Sequence, residues 1–145
     1  MGDWRFWAPR TALAALLIAT GDALALWLSP PLREFYPMWG PAQTSATELA
    51  KLCAGLTIDM LGWELVFRGL LLRTLLPFGA WAAIAAQMVP FVLLHYDKPP
   101  VEMALSLPGG LLAGVFALRS GTFWPTFVLH AVMLVGINAE AILFR

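Results

Sequence analysis

One long apolar segment, from about Thr47 to Leu76, carries a carboxylate and a guanidinium four residues apart, Glu64 and Arg68. On insertion scales, a charged side chain at the centre of a membrane-spanning helix costs roughly 2.5 to 3.5 kcal/mol. At helical spacing the two groups share a face, with the acid on the N-terminal side, which is the favourable order for an ion pair. Two interpretations follow: a self-compensating pair that the membrane tolerates, or a pair that is kept for its chemistry.

The composition of the whole chain is that of a membrane protein. Hydrophobic residues make up 60% and charged residues 12%, whereas soluble domains are about 25% charged. With 145 residues and about 20 residues per span, there is room for five or six helices. The formal net charge is zero, so nucleic acid is not indicated as a partner, and the single cysteine, Cys53, excludes an internal disulfide. The sequence therefore predicts an all-α, polytopic transmembrane helix bundle of about five spans in a single integral-membrane domain, 1–145.

Turns rich in proline and glycine divide the apolar segments from one another. The loop from Ser29 to Ala46 contains four prolines and several aromatic rings, a composition typical of the membrane interface. Pro108-Gly109-Gly110 predicts either a kink or a close approach between two backbones. The predicted spans are about Thr11–Leu28, the helical pattern Thr47–Leu76, Ala80–His95, Glu102–Leu118 and Thr122–Phe144.

The two histidines of the chain both fall at membrane depth. Counted from the turn at Pro77, Glu64 and His95 each lie about 20 to 22 Å along their helices, so antiparallel neighbours would bring them level. His130 lies about 12 Å into the last span and comes within reach if that helix tilts. A single histidine in such a helix is more often a packing residue than a functional one. The convergence of Glu64, His95 and His130 favours a functional site.

A carboxylate with two imidazoles can support two kinds of chemistry. The set can hold a catalytic zinc ion, or it can perform general acid and base catalysis without metal. The spacing of Glu64, His95 and His130 does not choose between them. The chain has no His-Glu-x-x-His sequence, so the usual signature of a zinc protease is absent.

These segments resemble the three motifs of the CPBP family, the CAAX protease and bacteriocin-processing (Abi) enzymes, which are glutamic-type intramembrane proteases. The matching residues are Glu64-Leu-Val-Phe-Arg68-Gly69, then Phe91-Val-Leu-Leu-His95, and then Arg119-Ser-Gly-Thr-Phe-Trp-Pro-Thr-Phe-Val-Leu-His130-Ala. The resemblance covers about residues 47–139 and leaves 1–46 as an additional N-terminal span and interfacial loop. It implies a helical bundle around a water-filled site, in which a glutamate-activated water hydrolyses a peptide bond without a cofactor.

Two positions depart from the family pattern. Trp63 stands where the family has the first of two adjacent glutamates, the one usually assigned as the catalytic base, and Leu134 stands where it has asparagine or aspartate. A tryptophan cannot take a proton from water, and a leucine cannot hydrogen-bond an oxyanion.

Replacements for the two missing groups are present near each position. Either Glu64 reaches the site through a shifted or kinked helix, or Asp59, one turn before Trp63, serves as the acid. Asn138 is a poorer substitute for the amide, since it lies about 80° round the helix from His130. The remaining interpretation is an inactive site.

Two functions are therefore predicted. In the first, the chain is an intramembrane endopeptidase acting on a membrane-associated or lipidated protein or peptide. Glu64 activates water, His95 positions it and His130 steadies the oxyanion, while Arg68, Asp59 and Asn138 support them. In the second, it is a catalytically degenerate relative that acts as a binding subunit, assembly factor or immunity factor in a membrane complex. The expected partners are the lipid bilayer and either a substrate or a membrane protein.

The distribution of basic residues predicts the orientation of the chain. The side of the membrane that holds the N-terminus carries more arginine and lysine than the other, which indicates a cytoplasmic N-terminus in the plasma (inner) membrane. The residues compared are Arg5, Arg10, Arg73 and Arg119 on one side, and Arg33, Lys98 and Arg145 on the other.

Overall fold

The computed structural model describes residues 3–144, and every regular element in that range is helical. The all-α class predicted from the sequence is therefore confirmed. The α-helices are α1 (Trp4–Leu28), α2 (Pro30–Phe35), α3 (Ala46–Glu64), α4 (Leu72–Leu75), α5 (Ala80–Leu93), α6 (Pro100–Ser120) and α7 (Trp124–Glu140). Two 3₁₀ turns, Gly40–Gln43 and Leu76–Phe78, and a π-helical segment, Leu65–Leu71, complete the elements.

Helix α1 begins seven residues earlier than the predicted span that starts at Thr11. Its first turn is capped by Asp3, whose side chain accepts a hydrogen bond from the backbone N–H of Arg5 at 3.0 Å. Aspartate is a favoured residue at this position because it satisfies a donor that has no partner inside the helix. The capped helix therefore includes residues that lie before the predicted span.

Among residues 3–144, two helices, α1 and α6, are long and apolar enough to cross a membrane, and α5 is a shorter apolar helix. These two helices agree with the high content of hydrophobic residues, 60% of the chain. The count of five spans stays a prediction.

A π-helical segment follows directly after Glu64. Residues 46–78 form a succession of α, π, α and 3₁₀ turns where the sequence predicts one helical pattern. A π turn closes its hydrogen bonds one residue further along than an α turn, so it shifts the register of the side chains that follow. If Glu64 is to replace the acid that is missing at Trp63, the sequence requires a shifted or kinked helix. The structure shows a distorted helix directly after Glu64.

The described residues form two compact units, and the chain passes from one to the other within α1, within α3 and within α7. The first unit holds Gly62–Thr126 with the described part of Met1–Ala8, and the second holds Pro9–Leu61 with the described part of Phe127–Arg145. The first has a core of Leu72, Ala83, Ile84 and Ala117. In the second, the side chain of Asn138 on α7 accepts a hydrogen bond from the backbone N–H of Met38 at 2.8 Å. The single integral-membrane domain stays a prediction.

Helices α5 and α6 of the first unit approach each other closely at two glycines. A Cβ atom at Gly110 would lie 3.0 Å from the ring of Phe91, and one at Gly114 would lie 3.1 Å from the amide nitrogen of Gln87. The Gln87 amide also donates a hydrogen bond to the Gly110 carbonyl at 3.2 Å. The close approach predicted from Pro108-Gly109-Gly110 is confirmed, and α6 runs through this sequence as one helix.

Candidate functional site

Glu64 and Arg68 form a buried ion pair in the first unit. The Arg68 Nη1 atom donates to Glu64 Oε1 at 2.8 Å, and both side chains are 1% exposed. The guanidinium also lies over the ring of Phe91, with Cζ 4.3 Å from the ring centroid. An arginine that is removed from water gains from such a contact because the face of an aromatic ring is electronegative. Arg68 therefore joins the carboxylate to the aromatic residues of α5.

Four rings, Trp63, Phe67, Phe91 and His95, form what we call the aromatic cluster. Trp63 stacks on Phe67 with ring centroids 5.2 Å apart and meets Phe91 edge to face at 6.1 Å. Phe91 in turn lies 4.7 Å from the imidazole of His95. Such offset and edge-to-face arrangements are the favourable ones for aromatic pairs. The cluster packs the end of α3 and the π segment against α5.

Trp63, near the end of α3, lies beside His95, which is in the turn after α5. The sequence predicts that Glu64, the next residue, is level with His95. The Trp63 and His95 rings are 6.4 Å apart between centroids. Trp63, at the position of the missing family glutamate, therefore lies next to the first histidine of the predicted site. Its indole N–H can donate a hydrogen bond but cannot accept a proton.

The imidazole of His95 has a defined hydrogen on one nitrogen. Its Nδ1 atom lies 2.7 Å from the backbone carbonyl oxygen of Phe91. Because a carbonyl oxygen can only accept, Nδ1 carries the hydrogen and donates it. In the neutral ring Nε2 then holds the lone pair, which makes it the acceptor of the imidazole. His95 is buried, so this orientation is held within packed surroundings.

Glu64, Arg68 and His95 belong to the first unit, and three other predicted site residues belong to the second. Asp59 is exposed and His130 is half-buried on α7. Asn138 is fully buried, and its Nδ2 atom donates to the Leu134 carbonyl at 2.6 Å. Both ends of the Asn138 amide thus bond backbone groups, since its oxygen accepts from Met38.

Gln87 is a buried polar residue that the sequence analysis did not select. It is 0% exposed, and its Nε2 atom donates to the carbonyl oxygens of Ile84 and Gly110 at 3.1 and 3.2 Å. The sequence did contain a signal for Gln87, a lone amide in an apolar helix two turns before His95. Such side chains commonly form hydrogen bonds between neighbouring membrane helices.

A metal centre would require several ligating side chains close together. Within residues 3–144, no three His, Cys, Asp or Glu side chains are grouped so that they could hold one metal ion. The zinc alternative for Glu64, His95 and His130 is not decided by this and stays open.

Comparison with known proteins places the chain in a family. The sequence profile of the type II CAAX prenyl endopeptidase Rce1-like family matches residues 45–135, which is more than half of the chain. No curated protein and no solved structure gives a significant match. The matched range contains Glu64, Arg68, His95 and His130, and it agrees with the CPBP resemblance carried by those motifs. The chain therefore belongs to the type II CAAX prenyl endopeptidase Rce1-like family, a family of membrane proteases.

Proposed function

We propose that this chain is an intramembrane endopeptidase that hydrolyses a peptide bond of a membrane-associated or lipidated protein or peptide. The observation that carries the proposal is the buried Glu64 carboxylate, held by Arg68 next to the aromatic cluster that contains His95. A buried carboxylate in a family of proteases is a candidate for the group that activates water.

Hydrolysis proceeds through one tetrahedral intermediate. Glu64 accepts a proton from water while the water oxygen attacks the carbonyl carbon of the substrate, and the carbonyl oxygen becomes an oxyanion. His130 donates a hydrogen bond to that oxyanion, which stabilises the charge that develops there. The carbon–nitrogen bond then breaks, and the proton held by Glu64 passes to the leaving nitrogen. The products are a carboxylate and an amine.

His95 positions the attacking water. Since Nδ1 donates to the Phe91 carbonyl, Nε2 of the neutral ring is an acceptor and can take a hydrogen bond from water. The water would be held by two acceptors, His95 and Glu64, with its oxygen lone pair directed to the substrate. Gln87 fixes α5 against α6 and so supports the placement of both Phe91 and His95.

Glu64 is preferred over Asp59 as the water-activating acid because Glu64 is buried whereas Asp59 is exposed. The π segment after Glu64 changes the register of Glu64 relative to the residues that follow it in the helical run. Asp59 and Asn138 stay supporting candidates, and the amide of Asn138 would have to leave its backbone partners in order to act on substrate.

The proposed architecture is the five-span bundle in a single domain, with the N-terminus in the cytoplasm and the chain in the plasma (inner) membrane. The spans are α1, the helical run 46–78, α5, α6 and α7. In this arrangement the bilayer supplies the substrate laterally.

A second candidate function is a catalytically degenerate family member that serves as a binding subunit, assembly factor or immunity factor in a membrane complex. The packing of Trp63 against Phe67, Phe91 and His95 favours it, because an apolar ring takes the position of the family acid. Leu134 is likewise buried where the family has a polar residue.

The two functions are separated by incubating purified full-length protein in nanodiscs with a mass-encoded peptide library, half of it prenylated on cysteine. An active protease gives defined cleavage products, and these disappear in His95→Ala and His130→Ala but persist in Glu48→Gln, an acid-to-amide control far from the histidines in sequence. Absence of cleavage by folded wild-type protein would refute the protease and leave the binding function. Loss of cleavage on adding a zinc chelator, with recovery on adding zinc, would select the metal-dependent alternative.

A further inference from the structure

One face of α3 is exposed along the helix and carries a charge. We call it the exposed α3 face; its members follow one another at spacings of three and one, so they lie on one stripe of the helix. They are Lys51, Ala54, Gly55, Ile58 and Asp59, all of them exposed. Ile58 is 69% exposed. A stripe of this kind faces lipid or a partner when the helix lies in a membrane.

Asp59 lies further along this face than Lys51, and it lies inside the bilayer if α3 spans it. It is eight residues beyond Lys51, which is about 12 Å along the helix. An aspartate has a single methylene group, so unlike lysine or arginine it cannot extend its charge to the membrane surface. A carboxylate at this depth is unfavourable in contact with lipid, and charged residues inside membranes are normally paired.

The described part of the chain offers Asp59 no compensating group. Within residues 3–144, the structure shows no hydrogen bond or ion pair to its carboxylate. The basic residue on the same face, Lys51, is bound to Glu48 at 2.8 Å. If α3 spans the bilayer, compensation for the Asp59 charge has to come from outside residues 3–144.

We propose that the exposed α3 face docks a membrane-spanning helix of another protein that presents a lysine or arginine to Asp59. Gly55, one turn before Asp59, has nothing within 4 Å of the position its Cβ would take, so a second backbone can approach closely there. A second copy of this chain is a poor occupant, because a two-fold contact through this face would bring the two Asp59 carboxylates towards each other. The inference rests on the placement of α3 in the bilayer, which is part of the proposed function.

The test measures binding of synthetic single-span peptides to the labelled full-length protein in nanodiscs by energy transfer. The probes are two leucine-rich peptides, one with a lysine at mid-span and one with leucine there. The wild-type protein binds the lysine peptide about five- to thirty-fold more tightly, as expected for one polar contact between helices. Asp59→Asn abolishes the preference, and Asp97→Asn, the same change at an exposed site outside α3, retains it.

A second pair of variants tests the surface without changing the charge. Gly55→Leu fills the open space beside Asp59 and weakens binding of the lysine peptide, whereas Gly109→Leu does not. Both glycines are exposed helical positions with nothing within 4 Å of the added Cβ, so the two substitutions are matched in their local surroundings.

Equal binding of the two peptides by wild-type protein overturns the inference, as does a preference that survives Asp59→Asn. Energy transfer between two labelled copies of the chain that depends on Asp59 would identify a second copy as the occupant and overturn it too. A second measurement separates failure of the docking inference from failure of the proposed function. A polarity-sensitive dye is attached to the Ile58→Cys variant, in a Cys53→Ala background, and reports whether α3 lies in lipid or in water. Emission typical of water would show that α3 lies outside the bilayer, which contradicts the five-span arrangement itself.

Discussion

Breaking the Glu64–Arg68 pair one side at a time should destabilise the protein far more than removing both groups together. The two atoms are 2.8 Å apart and both side chains are 1% exposed, so Glu64→Gln leaves a buried guanidinium without its carboxylate. Removing one partner of a buried pair typically costs about 3 to 5 kcal/mol, whereas replacing both with neutral groups of similar size is close to neutral. We therefore expect a coupling free energy of at least about 3 kcal/mol between the two positions.

The assay is reversible unfolding in mixed micelles with a rising fraction of sodium dodecyl sulfate, followed by tryptophan fluorescence. The cycle compares wild type, Glu64→Gln, Arg68→Met and the double variant. A matched cycle uses Glu48→Gln and Lys51→Met, since this pair has the same 2.8 Å separation but side chains that are 30% and 67% exposed. The exposed pair should show a coupling of only about 0.3 to 0.5 kcal/mol.

Additive effects at Glu64 and Arg68 would refute the reasoning, because they would mean that the two groups do not compensate each other in the folded protein. A coupling no larger than that of Glu48 and Lys51 would refute it equally, since burial would then contribute nothing to the pair.

Two further predictions concern the packing of each unit. Gly110→Leu should lower the free energy of unfolding by about 1 to 3 kcal/mol because the new side chain meets the Phe91 ring, whose nearest atom is 3.0 Å from the added Cβ. Gly109→Leu should not destabilise, and equal losses for the two variants in the same micelle assay would contradict the packing. Asn138→Ala should cost about 1 to 3 kcal/mol, because the Met38 N–H loses its acceptor. An unchanged unfolding midpoint for Asn138→Ala would show that this hydrogen bond does not contribute.

The sequence predicted the helical class and most helix boundaries because apolar periodicity and proline turns are local signals. The turn at Pro77 places Glu64 and His95 at similar distances along neighbouring helices, and the contact between Trp63 and His95 agrees with that. The close approach of α5 and α6 followed from the glycines of α6. The family was recognisable because three short motifs occur in the right order, and its profile matches the same region.

Other features depend on interactions that no local pattern reveals. The π segment after Glu64, Leu65–Leu71, depends on packing between helices, and its own residues do not predict a π turn. The stacking of Arg68 on Phe91 requires α5 to be in place first. The exposure of Asp59 likewise depends on which face of α3 the other helices leave uncovered. The catalytic set of Glu64, His95 and His130 stays a prediction, since it joins residues of both units.

The most direct test of the proposed chemistry is peptide hydrolysis in water enriched in oxygen-18, with product masses compared between wild type and the Glu64→Gln/Arg68→Met double variant. The double variant is chosen because it removes the acid while keeping the fold. We expect wild-type protein to place one heavy oxygen in the new carboxylate of the product, and the folded double variant to cleave about 10² to 10⁴ times more slowly. Cleavage at the wild-type rate by the folded double variant would contradict the assignment of Glu64 as the group that activates water.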